Sequence, residues 1–186
     1  MTYELPVNVT VCQSILHGSN METALVSFAE MGVTEVIPMR TARMLKMHQS
    51  AREDAQKQYA RWISRFVKNS LREVSPMLHQ PMDFADVVKG MGAYDLTILA
   101  YENARDPLCT AKAIAACKDA KRVLVLIGPE RGFEPDEVEM AKAAGAHIVS
   151  LGKRIIRAAN AGAIFMGMLV YALELNAESE GGQNIV

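Results

Sequence analysis

Val123-Leu-Val-Leu-Ile-Gly-Pro-Glu-Arg-Gly-Phe-Glu-Pro-Asp-Glu137 decides the fold class. Five consecutive apolar residues, with no polar alternation, predict a strand over Val123–Ile127 that is covered on both faces, as in a parallel sheet. Gly128 and Pro129 end it. Pro135, followed by Asp136 and Glu137, is the chemistry of a helix start, because proline is preorganised there and carboxylates meet the positive end of the macrodipole. This helix runs to Ala144 and closes at Gly145.

The same alternation extends in both directions. Downstream come a strand at His147-Ile-Val-Ser150 and a last helix starting near Ala158, and upstream a strand at Asp95–Ala100 and a helix from Pro107 to about Asp119. Val7–Val11 and Val33–Ile37 read as the first two strands, separated by a helix in which Ser19-Asn-Met-Glu22 has capping-box spacing and Gly32 follows the end. From about Ser50 to Val74, Ala55, Tyr59, Trp62, Ile63, Phe66, Val67 and Leu71 recur at helical steps. Pro76 to Pro81 and Gly90 to Gly92 read as punctuation. The pattern predicts an α/β fold, a mostly parallel sheet flanked by helices.

The chain has 186 residues and 20.4 kDa, enough for one globular domain with a sizeable core. Its formal net charge of -1 and 50% hydrophobic content exclude disorder and a uniformly basic nucleic-acid coat. The neutrality conceals polarity. Residues 40–72 carry nine Lys/Arg against Glu53 and Asp54, whereas Glu130–Glu139 carries five carboxylates against Arg131. On the long helix Lys57, Arg61, Arg65, Lys68 and Arg72 form a basic stripe, and the last four are candidate RNA contacts weighed against a merely solvated face. Cys12, Cys109 and Cys117 lack paired spacing, which argues for a reducing, cytoplasmic setting, and the scattered histidines suggest no metal. The start has no signal-peptide pattern. The uncharged run Ala158–Leu173 counts 16 residues, short of the roughly 20 that span a bilayer, and reads as a helix buried on all sides, in part by a second subunit.

Two segments stand out chemically. The turn Ile127–Phe133 lies where a parallel strand ends, the usual place for a ligand in such sheets, although an ordinary tight turn has the same composition. In Ser150-Leu-Gly-Lys-Arg-Ile-Ile-Arg157, three cations precede a helix, against the macrodipole, which points to a function or a charged partner, weighed against a solvated turn whose charges face water.

Those segments, with Glu137-Val138, Ala141, Gly145 and Asn160-Ala161, resemble the C-terminal signature of the RsmE family, SPOUT-class enzymes that methylate N3 of a uridine in 16S ribosomal RNA. The likeness extends through Asn20-Met-Glu-Thr, Glu30–Pro38 and the Trp62 helix to Leu99-Ala-Tyr-Glu102, nearly the whole chain. It implies a SPOUT-type domain with a C-terminal trefoil knot, a homodimer through the last helix and the knot, and S-adenosylmethionine as cofactor. By resemblance, the cofactor site comprises Leu99, Ala100, Tyr101 and Glu102 in a first loop, Ile127, Gly128, Pro129, Glu130 and Gly132 in a second, and Ser150, Leu151, Gly152, Ile155 and Ile156 in a third. Arg157 matches the family's arginine and is the candidate catalytic residue. Lys153 and Arg154 are candidate RNA contacts, and ribosomal RNA or the small subunit is the implied partner, with no membrane.

The chain departs from the family pattern at Arg131, where a glycine is usual, at Lys153 in place of proline, at Ala158-Ala-Asn160 in place of an acidic motif, and at Leu16–Asn20, which lacks a lysine. Arg131 is expected to narrow the pocket or to need a changed backbone. Glu130 is a candidate base by position, but a structural carboxylate capping loop amides is the preferred reading. The chain reads as a single domain, 1–186, without the family's N-terminal PUA-like RNA-binding domain. A catalytically impaired RNA-binding or dimerising module is the alternative to the methyltransferase, and an α/β protein for an unrelated small ligand is a third.

Overall fold

A computed structural model describes residues 3–44, 49–104 and 106–175, except the side chains at 49–53, 68 and 107. Lys46 and the side chains of Arg52 and Lys68, counted in the basic region, lie outside this description. Seven parallel strands, β1 (Asn8–Ser14), β2 (Glu35–Arg40), β3 (Met77–Leu78), β4 (Met82–Asp83), β5 (Leu96–Ala100), β6 (Arg122–Ile127) and β7 (His147–Val149), form one sheet. Its order is β3-β2-β1-β6-β5-β7, with β4 also on β2. Among the described residues, six α-helices flank it: α1 (Ser19–Glu30), α2 (Gln49–Val67), α3 (Phe84–Gly90), α4 (Pro107–Ala116), α5 (Pro135–Ala143) and α6 (Ala158–Val170).

The two-residue period of β6 divides the core. Val123, Val125 and Ile127 join Val9, Val11, Phe28, Ile63 and Phe165 on one face, while Leu124 and Leu126 join Cys12, Met39, Phe84, Phe133 and Val138 on the other. Thus α1, α2, α4 and α6 cover the first face and α3 and α5 the second. This double cover explains why β6 reads as an unbroken apolar run.

Two local expectations need correction. Ser19 is the first helical residue, not the cap: Gly18, at φ 53, precedes α1 and makes no side-chain cap bond. The long helix stops at Val67, followed by a 3-10 turn over Lys68–Ser70 and Leu71 at φ 60. That break rotates Arg72 out of phase with Arg61 and Arg65. Those two stay exposed, but Arg72 is buried and turns inward onto Glu4, so it is no RNA contact. One further helix, α3, goes unpredicted although Phe84, Val87, Val88 and Met91 have helical spacing behind Asp83.

Helix α6 packs by one face, with Ala159, Ala161, Gly162, Phe165, Met166 and Leu169 buried. It continues into a π-helical turn, Tyr171–Leu175. Ala158–Leu175 is long and apolar enough to cross a membrane by length and composition, but its inner face is a core face against Phe28 and Ile127. The expected burial on all sides is not met within one chain: Ile164, Tyr171 and Leu175 are exposed.

Candidate active site at the carboxyl ends of β5, β6 and β7

Because β6, β5 and β7 are adjacent, their carboxyl ends at Ile127, Ala100 and Val149 lie side by side, and the loops that follow converge. They enclose a cleft of about 400 Å³. Of the residues named for cofactor binding, Ala100, Tyr101, Glu102, Ile127, Gly128, Pro129, Glu130, Gly132, Ser150, Leu151, Gly152, Ile155 and Ile156 all line it. Leu99 does not. Strand alternation points its side chain into the opposite core with Leu126. Arg157 and Arg154 reach the cleft, Lys153 is exposed beside it but does not line it, and Arg61 and Arg65 lie elsewhere.

The loops are tied down by main-chain and side-chain bonds. The Tyr101 amide donates to the Val149 carbonyl at 2.9 Å, joining the first loop to the third. Thr110 on α4 clamps the third: its hydroxyl donates to the Ser150 carbonyl at 2.8 Å and accepts from the Ser150 amide at 3.1 Å. Thr110 escapes sequence reading, because nothing local in α4 marks a partner forty residues away. Ser150 Oγ in turn accepts from the Gly152 amide at 3.2 Å, helping to hold Gly152 at φ 115.

The second loop is fixed from three sides. Glu130 Oε1 accepts from the His17 amide at 2.9 Å and from Asn20 Nδ2 at 3.3 Å, tying the loop to the start of α1. Its carboxylate thus does the structural work preferred above. Glu137, buried in the first turn of α5, accepts from the amides of Ala42 and Glu134, both at 2.9 Å. Arg43 bridges to Glu134 at 2.7 Å and also donates to the Arg131 carbonyl at 3.2 Å. The Arg43 guanidinium holds the Glu134 carboxyl below its ordinary range. Between these anchors, Gly132 takes φ 69, while Arg131 keeps a negative φ. The expected backbone conflict at Arg131 does not arise, because the neighbouring glycine makes the left-handed turn. The Arg131 side chain stands exposed at the cleft.

Asn20, Arg131, Phe133, Ala158, Ala159 and Ala161 also line the cleft, unnamed among the cofactor contacts. Ala158, Ala159 and Ala161 start α6, where small side chains leave room between the Arg157 end and the β6 loop. Among the described residues, no three His, Cys, Asp or Glu side chains gather as a metal site. A cleft with apolar walls, bare glycine main chain and charged rim suits a flat organic molecule with polar edges.

Residues 3–170 match the family of RNA methyltransferase domains. The chain belongs to this family. It is 31% identical over 173 residues to ribosomal RNA small subunit methyltransferase E of Synechocystis, covering 92% of this chain and 55% of that protein. The namesake protein of Mesomycoplasma hyopneumoniae is 26% identical, with 85% of this chain and 66% of the relative covered. The chain thus spans between half and two thirds of the length of these relatives. Its fold is that of a putative methyltransferase from Legionella pneumophila solved with its cofactor SAM, at TM-score 0.83 and 24% identity over 92% of this chain and 69% of that one. The methyltransferase E structure from Neisseria gonorrhoeae, bound to S-adenosyl methionine, aligns at TM-score 0.80 and 23% identity, covering 90% and 67%.

Proposed function

We propose that the protein is an S-adenosylmethionine-dependent RNA methyltransferase acting on N3 of a uridine in 16S ribosomal RNA, as a cytoplasmic homodimer. The observation that carries this reading is the convergence of three strand-end loops on one cleft in a chain of the RNA methyltransferase domain family. The residues present fit the cofactor: Ile127, Leu151 and Ile156 supply apolar walls, Ala100, Ala158 and Ala161 leave room, and about 400 Å³ is within the size range of small-molecule sites. The trefoil knot belongs to the same proposal, supported by β5 lying between the two later strands β6 and β7. So does the homodimer, supported by the uncovered apolar face of α6 and by Ile155, which is 92% exposed in one chain. A single catalytic-type domain over 1–186 is part of this reading.

When bound, S-adenosylmethionine supplies a methyl group made electrophilic by its sulfonium sulfur. The chain has to hold uridine N3 in line with that methyl and keep water away. N3 must lose its proton, and the charge left behind spreads onto the ring oxygens. Arg157, which caps α6 and whose side chain lines the cleft, faces that developing oxyanion and stabilises it electrostatically. Glu130, tied to His17 and Asn20, holds the loop and is not assigned as the base.

Calorimetric titration with S-adenosylmethionine, and nucleoside analysis of a 16S transcript incubated with both, test the reading. Micromolar cofactor binding and N3-methyluridine are expected. Absence of cofactor binding overturns it. Arg157→Ala is expected to abolish methyl transfer while cofactor binding persists, and unchanged turnover rejects the role given to Arg157.

A further inference from the structure

We propose that Arg131 is a substrate-binding residue that grips an RNA phosphate beside the target nucleotide, a role that rests on the methyltransferase reading of the cleft. The second loop is otherwise occupied with shaping the pocket floor. At Arg131, however, main chain and side chain are separated in function. Its carbonyl is held by Arg43 Nη1 at 3.2 Å, and the adjacent turn is made by Gly132. The residue lines the cleft and is exposed, and its guanidinium has no hydrogen-bond acceptor among the described residues. The nearby Glu134 carboxylate is bridged by Arg43 at 2.7 Å and acts on Arg131 through charge alone, without a hydrogen bond.

Arg154 and Arg157, which line the same cleft from the third loop, are likewise exposed and without an acceptor among the described residues. Three guanidiniums therefore face one opening from two loops. Opposing them are Glu102 and Glu130, and Glu130 is tied to His17 and Asn20. The cofactor does not balance this surplus: it carries one carboxylate, which a single guanidinium saturates bidentately, and its ammonium and sulfonium leave it net positive. A polyanion does. RNA places a phosphate at every nucleotide, so a strand that delivers a base to Arg157 carries flanking phosphates past the other loops of the cleft, among them the one that holds Arg131. Planar, permanently charged guanidinium is the side chain best suited to that contact.

The test is binding of a fluorescent, uridine-containing RNA hairpin with its target in the loop, measured by anisotropy over a salt series without cofactor, alongside calorimetry with S-adenosylmethionine. Arg131→Gly is expected to weaken RNA binding several-fold and to lower the slope of log affinity against log salt by about 0.7, the loss of one single-strand phosphate contact. Arg131→Lys is expected to recover the slope, and cofactor affinity to stay as in the parent. An unchanged slope in Arg131→Gly, with RNA still bound, overturns the role of Arg131 and leaves the methyltransferase reading standing. Weakened cofactor binding with unchanged RNA affinity also overturns it, assigning Arg131 to the cofactor carboxylate. If the unaltered protein binds cofactor but not RNA at any salt, both this contact and the RNA substrate fail together.

Discussion

Arg72 meets Glu4 inside the protein: its Nη2 lies 2.7 Å from Oε2 while Nη1 donates to the carbonyls of Ala29 and Val33 at 3.0 and 2.9 Å. The Arg72 side chain, 1% exposed, thus joins Glu4 to the end of α1. Removing it withdraws the charged donor from Glu4, which keeps the amides of Glu73 and Val74, and takes a donor from each of the two carbonyls. Arg72→Ala is expected to lower unfolding free energy by about 3 kcal/mol, at the lower edge for breaking a buried pair because Glu4 keeps some contact with water. Urea denaturation measures this, and a loss under 1 kcal/mol contradicts the structural role.

The same pair has a pH signature. Burial raises the Glu4 carboxyl, but hydrogen bonds from Arg72 and the amides of Val74 and Glu73 outweigh it and hold it below its ordinary value. A carboxyl lowered in the folded state contributes stability above its unfolded pKa and loses it as pH falls through the folded value. The stability gap between the parent and Glu4→Gln is therefore expected to be full at pH 7 and to shrink below the ordinary carboxylate range. A gap independent of pH refutes the linkage.

Glu137 is a second buried carboxylate with two obligations, the amides of Ala42 and Glu134. Glu137→Ala strands both donors, at a cost of roughly 1–3 kcal/mol for each that stays dry. Glu137→Gln keeps one acceptor but turns an NH₂ toward the other amide, so it is expected to recover only part. Thermal unfolding of the two variants, in that order of stability, is the check.

How far sequence alone reaches is clear from these residues. The strands and α5 are legible because burial on both faces and a proline–acidic start leave strong local patterns. Arg72 misleads because a helical wheel assumes an unbroken helix, and the Leu71 turn resets the phase. Strands β3 and β4, two residues each, have no period to detect. In the cleft, the motif residues assemble as their order suggests. The clamp of Thr110 on Ser150 and the tie of Glu130 to His17 are long-range contacts that no spacing rule encodes.

Gly132 separates backbone need from space. At φ 69 a side chain is strained, and a Cβ there would also collide with the Glu102 carboxylate. Gly132→Ala is expected to cost about 1–2 kcal/mol through the left-handed backbone alone and to weaken S-adenosylmethionine binding at least roughly tenfold, the equivalent of 1.4 kcal/mol. Adding Glu102→Ala should relieve the collision but not the strain, giving partial recovery in unfolding measurements. Full recovery means that the φ requirement is unimportant.

Gly162 and Gly167 lie on the same helix and are expected to respond in opposite ways. A Cβ on Gly162 would run into the buried Phe28 ring, so Gly162→Ala overpacks the α1–α6 contact and is expected to destabilise the chain by about 1–3 kcal/mol. A Cβ on Gly167 meets only the Met31 methyl at 3.7 Å, an ordinary contact. Gly167→Ala is therefore expected to be tolerated, or to stabilise by up to about 1 kcal/mol through helix propensity. Gly167→Leu adds bulk where α6 is only partly covered in one chain and the second subunit is proposed to pack. Sedimentation is expected to shift from dimer to monomer with the fold retained. A dimer of unchanged stability in Gly167→Leu places the subunit contact elsewhere on the surface.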